Sequence, residues 1–144
     1  MGIPTTRPAA AFNALGLVIA LGGALMGVGV FLPWVTIAGE FLRSSLTGSD
    51  FGGMLLLAPL AVALATAVLG LVLVGSLDRW LAWAAAFLGG TGMVVAYWIH
   101  QEMANRMWVL SEGTTGTIGV GPLVVGAGGL VAVVGALGTL SARR

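Results

Sequence analysis

Few side chains in this sequence have the chemistry of a reactive site, and they lie near the ends of long apolar stretches. His100 and Glu102 are two residues apart. Three further acids, Glu40, Asp50 and Glu112, lie in the two polar segments that connect the long apolar stretches on the same side. Imidazole and carboxylate groups can bind a metal ion or act as an acid–base pair. Residues two apart on a helix do not face each other, so this spacing disfavours either use. We therefore expect no catalytic and no metal site, with His100 at the membrane interface.

Nucleophiles and cofactor motifs are equally scarce. The chain contains no cysteine, which excludes thiolate metal sites, iron–sulfur clusters and a cysteine nucleophile. Ser44, Ser45 and Ser111 have no Gly-x-Ser-x-Gly context, and the glycines of residues 48–53 lack the lysine of a phosphate-binding loop. The net charge is only +1, which leaves no basic face for nucleic acid. The sequence predicts no enzyme, no cofactor and no nucleic-acid partner.

The elements that position these residues are membrane spans. The chain has 144 residues, of which 58% are hydrophobic and 8% charged, whereas a soluble domain has about 45–50% apolar and about 25% charged residues. Four uncharged stretches, at about residues 12–32, 54–77, 81–99 and 118–140, each approach the ~20 residues that cross a bilayer. We predict a single-domain, all-α integral membrane protein, an antiparallel four-helix transmembrane bundle with two outer loops.

Arginine positions predict the orientation of this bundle. Four of the six arginines, Arg7, Arg79, Arg143 and Arg144, fall on one side of the predicted spans. The positive-inside rule places that side, and with it both termini, in the cytoplasm. Trp80 and Trp98 support the same spans, because the eighteen residues between them rise about 27 Å.

Several residues are typical of helix ends. Ser76 or Asp78 can cap the third span, Asp50 can cap the second, and the connection between these two spans is short enough to predict a helical hairpin. Pro33 is expected to end the first span, and Pro122 fits the first turn of the fourth.

The third span is predicted to continue beyond the membrane. Glu102 and Arg106 are four residues apart in the acid-first order that favours a helix, which extends to about Leu110. The outer surface is then the place to seek recognition, and its candidate residues are Trp34, Glu40, Asp50, His100, Glu102 and Trp108.

Inside the predicted spans the informative residues are small and uncharged. No ionisable residue lies in the middle of any span, which argues against a proton-coupled transporter. Small residues four apart let helices approach closely. They are Gly16, Ala20, Gly23 and Gly27 in the first span, Ala85 and Gly89 in the third, and Gly128, Ala132 and Ala136 in the fourth. They serve either contacts within the bundle or contacts with other subunits, for which the fourth span is the best candidate.

A weak internal repeat is also present. Residues 47–55, Thr-Gly-Ser-Asp-Phe-Gly-Gly-Met-Leu, align without gaps on residues 115–123, Thr-Gly-Thr-Ile-Gly-Val-Gly-Pro-Leu. Each copy precedes an inward-going span, which predicts two similar hairpins. Two alternatives stay open: a chance match among 24 glycines, and glycines that let extended loop strands turn tightly over the bundle.

The chain resembles a known group of membrane proteins. Phe-Leu-Pro-Trp-Val at residues 31–35, Thr-Gly-Ser-Asp-Phe-Gly at 47–52 and Gly-Val-Gly-Pro at 119–122 are similar to segments of small four-span actinobacterial proteins, including the tryptophan-associated membrane proteins. The resemblance covers nearly the whole chain through loose motifs and implies an actinobacterial plasma membrane, but no catalytic residue. Claudin-type proteins share the four-span plan, yet their paired cysteines and Gly-Leu-Trp motif are missing here.

Three functions are compatible with these observations. We expect a non-enzymatic membrane subunit or assembly partner that contacts the bilayer and other membrane proteins. The first alternative is a small oligomeric transporter or channel, in which Thr66 or Thr91 would line the path. The second is a membrane enzyme with an external site at His100 and Glu102.

Overall fold

The fold is mostly helical and ends in a small sheet. The computed structural model describes residues 13–39, 43–76, 78–110 and 115–142, and for residues 108–110 it describes the backbone alone. Along the chain the elements are α1 (Ala14–Phe31), β1 (Pro33–Ala38), β2 (Arg43–Thr47), α2 (Gly48–Phe51), α3 (Gly53–Gly75), α4 (Arg79–Leu110), β3 (Thr115–Ile118) and α5 (Gly121–Ser141).

Four of these helices, α1, α3, α4 and α5, are long and apolar enough to cross a membrane. The chain is therefore a multi-pass membrane protein, and the four predicted spans are confirmed. Most of their predicted ends agree with the structure to within a few residues. The exception is α4, whose 32 residues rise about 48 Å against about 30 Å of hydrocarbon. Its predicted extension to Leu110 is confirmed.

Helix ends follow local side-chain chemistry. Asn13 caps α1, because its Oδ1 accepts a hydrogen bond from Leu15 N at 3.2 Å. Asp78 Oδ1 accepts from Trp80 N at 2.8 Å, so Asp78 is the residue that caps α4, while Ser76 is the C-cap of α3. Pro122 lies in the first turn of α5, as predicted.

The all-α prediction is wrong in one respect, since the two connections form one antiparallel three-stranded sheet in the order β2-β1-β3. Pro33 prevents the helix from continuing beyond α1, because proline has no backbone N–H group. The β-branched run Val35-Thr36-Ile37 then favours an extended chain. Thr36 pairs with Ser45 on one side and with Thr117 on the other. The sheet therefore links the connection after α1 to the connection before α5.

The segment between β2 and α3 corrects a second expectation. Asp50 does not cap the second long helix. It lies in the first turn of the short helix α2, where its carboxylate accepts hydrogen bonds from Thr47 N at 2.7 Å and Thr47 Oγ1 at 2.8 Å. The N-cap of α3 is Gly52. Gly52 and Gly53 both have positive φ, 58° and 54°, a conformation that glycine adopts without strain.

Helix α1 packs extensively against both α3 and α5, and α5 also packs against α4, whereas α3 and α4 pack against each other less. We call the end that carries the sheet the sheet end, and the end where α3 stops and α4 starts the turn end. The core has two parts. The sheet-end cluster comprises Met26, Val30, Trp34, Val35, Leu55, Ala63, Ala96, Ile99, Met103 and Val125. The turn-end cluster comprises Ile19, Leu73, Ala85, Ala132 and Ala136.

The internal repeat matches the structure at its helices and not at its strands. The gapless alignment superimposes Gly53 on Gly121, the first residues of α3 and α5. It also sets Thr47, the last residue of β2, against Thr115, the first residue of β3. The repeated segments therefore share a helix start but occupy different strand positions.

Candidate functional site

The small residues of α1 lie against α3 within the same chain. A Cβ atom added at Gly16 would lie 2.6 Å from Val74 N, and one added at Gly23 would lie 2.5 Å from Ala67 N. Real Cβ atoms do not approach backbone so closely, so these glycines set the separation of the two helices. Gly27 is looser, with Ala63 Cβ at 3.9 Å. Ala20 belongs to the same contact, because the backbone of α3 at Gly70 lies directly against it.

The small residues of α4 and α5 are also used inside the chain. A Cβ atom at Gly128 would lie 2.5 Å from Gly22 O on α1. One at Gly89 would lie 2.8 Å from Gly129 O, which brings α4 and α5 together. The predicted alanines Ala85, Ala132 and Ala136 are fully buried. The contacts within the chain thus occupy these predicted small-residue faces.

Sequence reasoning missed the residues on the other side of these contacts. Gly22 and Gly29 of α1 face α5, and Gly70 of α3 and Gly129 of α5 are the counterparts of predicted residues. Gly22 and Gly29 are seven residues apart, a spacing of two helical turns that marks one helix face. That spacing was the signal available in the sequence.

Trp34 was a candidate for recognition at the outer surface, and this expectation is wrong because its side chain is 0% exposed. A bulge in β1 between Pro33 and Val35 lets the consecutive residues Trp34 and Val35 both point toward the helices. The indole Nε1 donates to Gly29 O at 3.0 Å. The ring stacks on Phe51, with centroids 6.0 Å apart. Trp34 therefore anchors the sheet to the helices.

The outward face of the sheet carries polar side chains instead. Ser45, Thr36 and Thr117 lie side by side across the three strands, and we call this set the hydroxyl row. Ser45 and Thr117 are exposed and Thr36 is half-buried. Arg43, next to Ser44 at the start of β2, is also exposed. This face is polar, accessible and held in place by Trp34.

Two further recognition candidates, Asp50 and Glu102, accept hydrogen bonds through their carboxylates. Asp50 is exposed, and hydrogen bonds from Thr47 N and then from the Thr47 hydroxyl lower its carboxyl pKa. Glu102 Oε1 accepts from Arg106 Nε at 2.8 Å, the predicted pair four residues apart. Glu40, Glu112 and the side chain of Trp108 lie outside the described part of the chain.

His100 and Glu102 line different grooves. His100 lies in a groove of about 590 Å³ between α4 and α5. Glu102 lines a smaller cleft of about 330 Å³ between α4 and the start of α3, beside Trp98 and Met54. The structure therefore does not bring the two side chains into one acid–base site. Over the described ranges, no group of three histidine or acidic residues is arranged to hold a metal ion.

The hydroxyl groups within the long helices bond to their own backbone. Thr66 Oγ1 donates to Val62 O at 2.7 Å, and Thr139 Oγ1 donates to Gly135 O at 3.0 Å, and both residues are buried. Thr91 Oγ1 donates to Phe87 O at 2.9 Å. Each of these donors is satisfied one turn earlier in its own helix.

In comparisons with known proteins, no protein-family model matches this chain, and no curated protein matches it either.

Proposed function

We propose that this protein is a non-enzymatic subunit or assembly partner of a larger complex in a bacterial plasma membrane. Its four long helices form an antiparallel bundle with both termini in the cytoplasm, which places the sheet on the outer side. The partner is a membrane protein that contacts the outward face of the sheet.

One observation carries this proposal: a sheet with an exposed polar face is attached to an otherwise apolar molecule. Each of the two connections contributes a strand beside β1, and Trp34 ties β1 to α1 through its hydrogen bond to Gly29 O. A rigid, exposed polar face costs little conformational entropy on binding, so it suits recognition of a folded partner.

The long helices support the same proposal. Their described charged residues lie near the ends, at Arg79, Glu102 and Arg106. The hydroxyls of Thr66 and Thr91, which a transport path would use, are bonded to their own helices. The separation of His100 from Glu102 likewise favours a binding role over the external enzyme site.

The test is site-specific photo-crosslinking at native expression level. A photoreactive residue replaces Ser45 in the hydroxyl row, and in a matched variant it replaces Leu64, which is 68% exposed in the middle of α3. We expect Ser45 to crosslink to one membrane protein that also co-purifies in mild detergent. Leu64 should give lipid adducts only.

A second variant checks that the hydroxyl row itself makes the contact. Thr117→Arg adds bulk and charge beside Thr36 without entering the core, because Thr117 is exposed. It should reduce co-purification of the crosslinked protein at least fivefold with unchanged expression. Recovery of a lone monomer, with no protein adduct from Ser45, would overturn the proposal.

A further inference from the structure

A groove open to the membrane runs between α4 and α5 near the sheet end. Its floor is formed by small residues, Ala96 of α4 with Gly126 and Ala127 of α5. A Cβ atom added at Gly126 would lie at an ordinary van der Waals distance, 3.4 Å, from Ala96 Cβ, so the two helices are further apart here than at Gly89 and Gly129. The groove exists because the residues at the contact are small and the residues beside it are long.

The walls of the groove are mainly apolar side chains that face lipid, and Tyr97 adds one hydroxyl group. Met93 and Tyr97 of α4 are 41% and 66% exposed, and Leu123 and Leu130 of α5 are 66% and 51% exposed. From Met93 to Gln101 the groove follows eight residues of α4, about 12 Å. Its volume of about 590 Å³ is typical of a small-molecule site, and its length is well short of the ~30 Å over which a partner helix would pack.

Polar groups occur at one end of this apolar groove. His100 and Gln101 lie at its sheet end, and no charged residue is among its lining residues. Both side chains have N–H groups able to donate hydrogen bonds to a neutral oxygen. The lining is therefore complementary to an amphiphile with a long apolar part and an uncharged oxygen at its boundary.

The polar end also lies at the depth where such a boundary occurs. Trp80, which is 81% exposed at the start of α4, is typical of a residue at a membrane interface. The twenty residues from Trp80 to His100 rise about 30 Å, one hydrocarbon thickness. His100 and Gln101 are thus level with the region where acyl chains join the glycerol of a lipid.

We propose that this groove binds one membrane glycerolipid, with an acyl chain along Ala96, Gly126 and Ala127 and an ester oxygen hydrogen-bonded to His100 or Gln101. The site is separate from the hydroxyl row and its partner. It holds a lipid at the edge of the sheet end, between the two helices that meet through Gly89 and Gly129.

The experiment uses the purified full-length chain in phosphatidylcholine vesicles that contain a trace of phosphatidylcholine with a diazirine in its acyl chain. After illumination, mass spectrometry maps the adducts along the helices. We expect residues 93–101 and 122–130 to carry at least threefold more adduct than the equally lipid-facing residues Leu57, Leu64 and Leu71 of α3. Equal labelling of all exposed faces would show a bulk lipid layer only and would overturn the proposal.

Matched variants test the groove itself. Ala127→Leu fills its floor, while Ala61→Leu makes the same change at another exposed alanine, on α3. Ala127→Leu should reduce groove labelling to the level of α3, and Ala61→Leu should leave it unchanged. His100→Ala should halve the labelling or reduce it further.

The remaining outcomes are also decisive. Groove labelling that persists in Ala127→Leu contradicts the assignment. The adduct map of the unmodified protein needs no variant to fold, and it needs no partner protein. Its result is therefore independent of the crosslinking test for the hydroxyl row.

Discussion

The two core clusters are packed by different means. In the turn-end cluster three of the five buried residues are alanines, and glycines such as Gly16 let one backbone meet another. In the sheet-end cluster the interior is filled by large side chains, with Met26, Trp34, Ile99 and Met103 all fully buried. Helices approach closely at both ends, since a Cβ atom added at Gly29 would lie 2.7 Å from Val125 N, but only the sheet end also contains large buried side chains.

Glycine has a different role in each cluster. At the turn end, glycines lie opposite the backbone of a neighbouring helix. At the sheet end, Gly48 and Gly121 leave room for the Trp34 ring: an added Cβ would lie 2.7 Å from its Cε2 atom in the first case and 2.7 Å from Nε1 in the second. Glycine thus permits helix contact at both ends, and at the sheet end it also accommodates the Trp34 ring.

The largest expected effect tests the sheet-end anchor. Trp34→Ala removes a fully buried ring and its hydrogen bond to Gly29 O, which should lower the free energy of unfolding by about 3–5 kcal/mol. Hydrogen exchange in detergent should show lost protection in β1, β2 and β3, with α1 near Gly16 little changed. Equal loss at both ends would show that the two clusters unfold as one unit.

Trp34→Phe distinguishes the contribution of the buried ring from that of the hydrogen bond, because phenylalanine keeps an aromatic ring but has no N–H group. The carbonyl of Gly29 would lose its donor, at a cost of about 1–3 kcal/mol, while most of the stacking on Phe51 is kept. If Trp34→Phe is as harmful as Trp34→Ala, the hydrogen bond dominates the anchor.

The next effect tests close approach at the turn end. Gly16→Ala places a Cβ atom 2.6 Å from Val74 N, and overpacking of this kind costs about 1–3 kcal/mol. Gly90→Ala is the matched control, because no atom lies within 4 Å of its added Cβ, so the helix should be unchanged or stabilised by up to about 1 kcal/mol. Thermal unfolding in detergent measures both, and equal melting temperatures would contradict the role given to Gly16.

Acidification should weaken the contacts of Asp50 at the sheet end. Hydrogen bonds from Thr47 lower the pKa of Asp50 in the folded protein, so its stabilising contribution is present above the unfolded value of about 3.9 and is lost as pH falls through the lower folded value. Exchange protection of residues 47–51 should decrease over that interval. Asp50→Asn should abolish this dependence, and a similar decrease near Gly16 would contradict the local origin.

The smallest effect concerns the ion pair on α4. Glu102→Gln removes a partially exposed contact to Arg106, worth about 0.3–0.5 kcal/mol in a helix. The difference in melting temperature should vanish in high salt, because such pairs are screened. A salt-independent loss would instead assign Glu102 a role in the cleft beside Trp98.

Local sequence signals predicted the helices and most of their ends. The sheet depends on pairing between segments that are far apart in the sequence, which local signals do not reveal. Apolar length gave the four spans, and the spacing of Glu102 and Arg106 gave the extension of α4. Extended loop strands were an open alternative, but their pairing into one sheet was not predicted, because the strands have only four to six residues. Moreover, β3 pairs with a strand far away in sequence. Val35-Thr36-Ile37 was the one clear strand signal.

Residue roles were predicted where they depend on spacing within one helix, and they were not predicted where they depend on contacts between distant segments. The spacing of three and four residues between Gly16, Ala20 and Gly23 reveals a helix face in one segment of sequence. The surroundings of Trp34 come from α1, α2 and α5, so no local spacing indicates that the ring is buried. The groove at His100 likewise depends on which faces of α4 and α5 meet.

The pairing of β1 with β3 has a consequence for biosynthesis. Thr115 Oγ1 donates to Ala38 O, 77 residues earlier in the chain, and Gly119 N donates to Trp34 O at 2.8 Å. As the chain is synthesised in order, β1 can pair with β2 early, but its other edge stays open until β3 has been made. The segment of β3 and α5 thus completes the surroundings of Trp34, and a chain truncated before β3 would leave one edge of β1 unpaired and exposed to the quality-control proteases of the membrane.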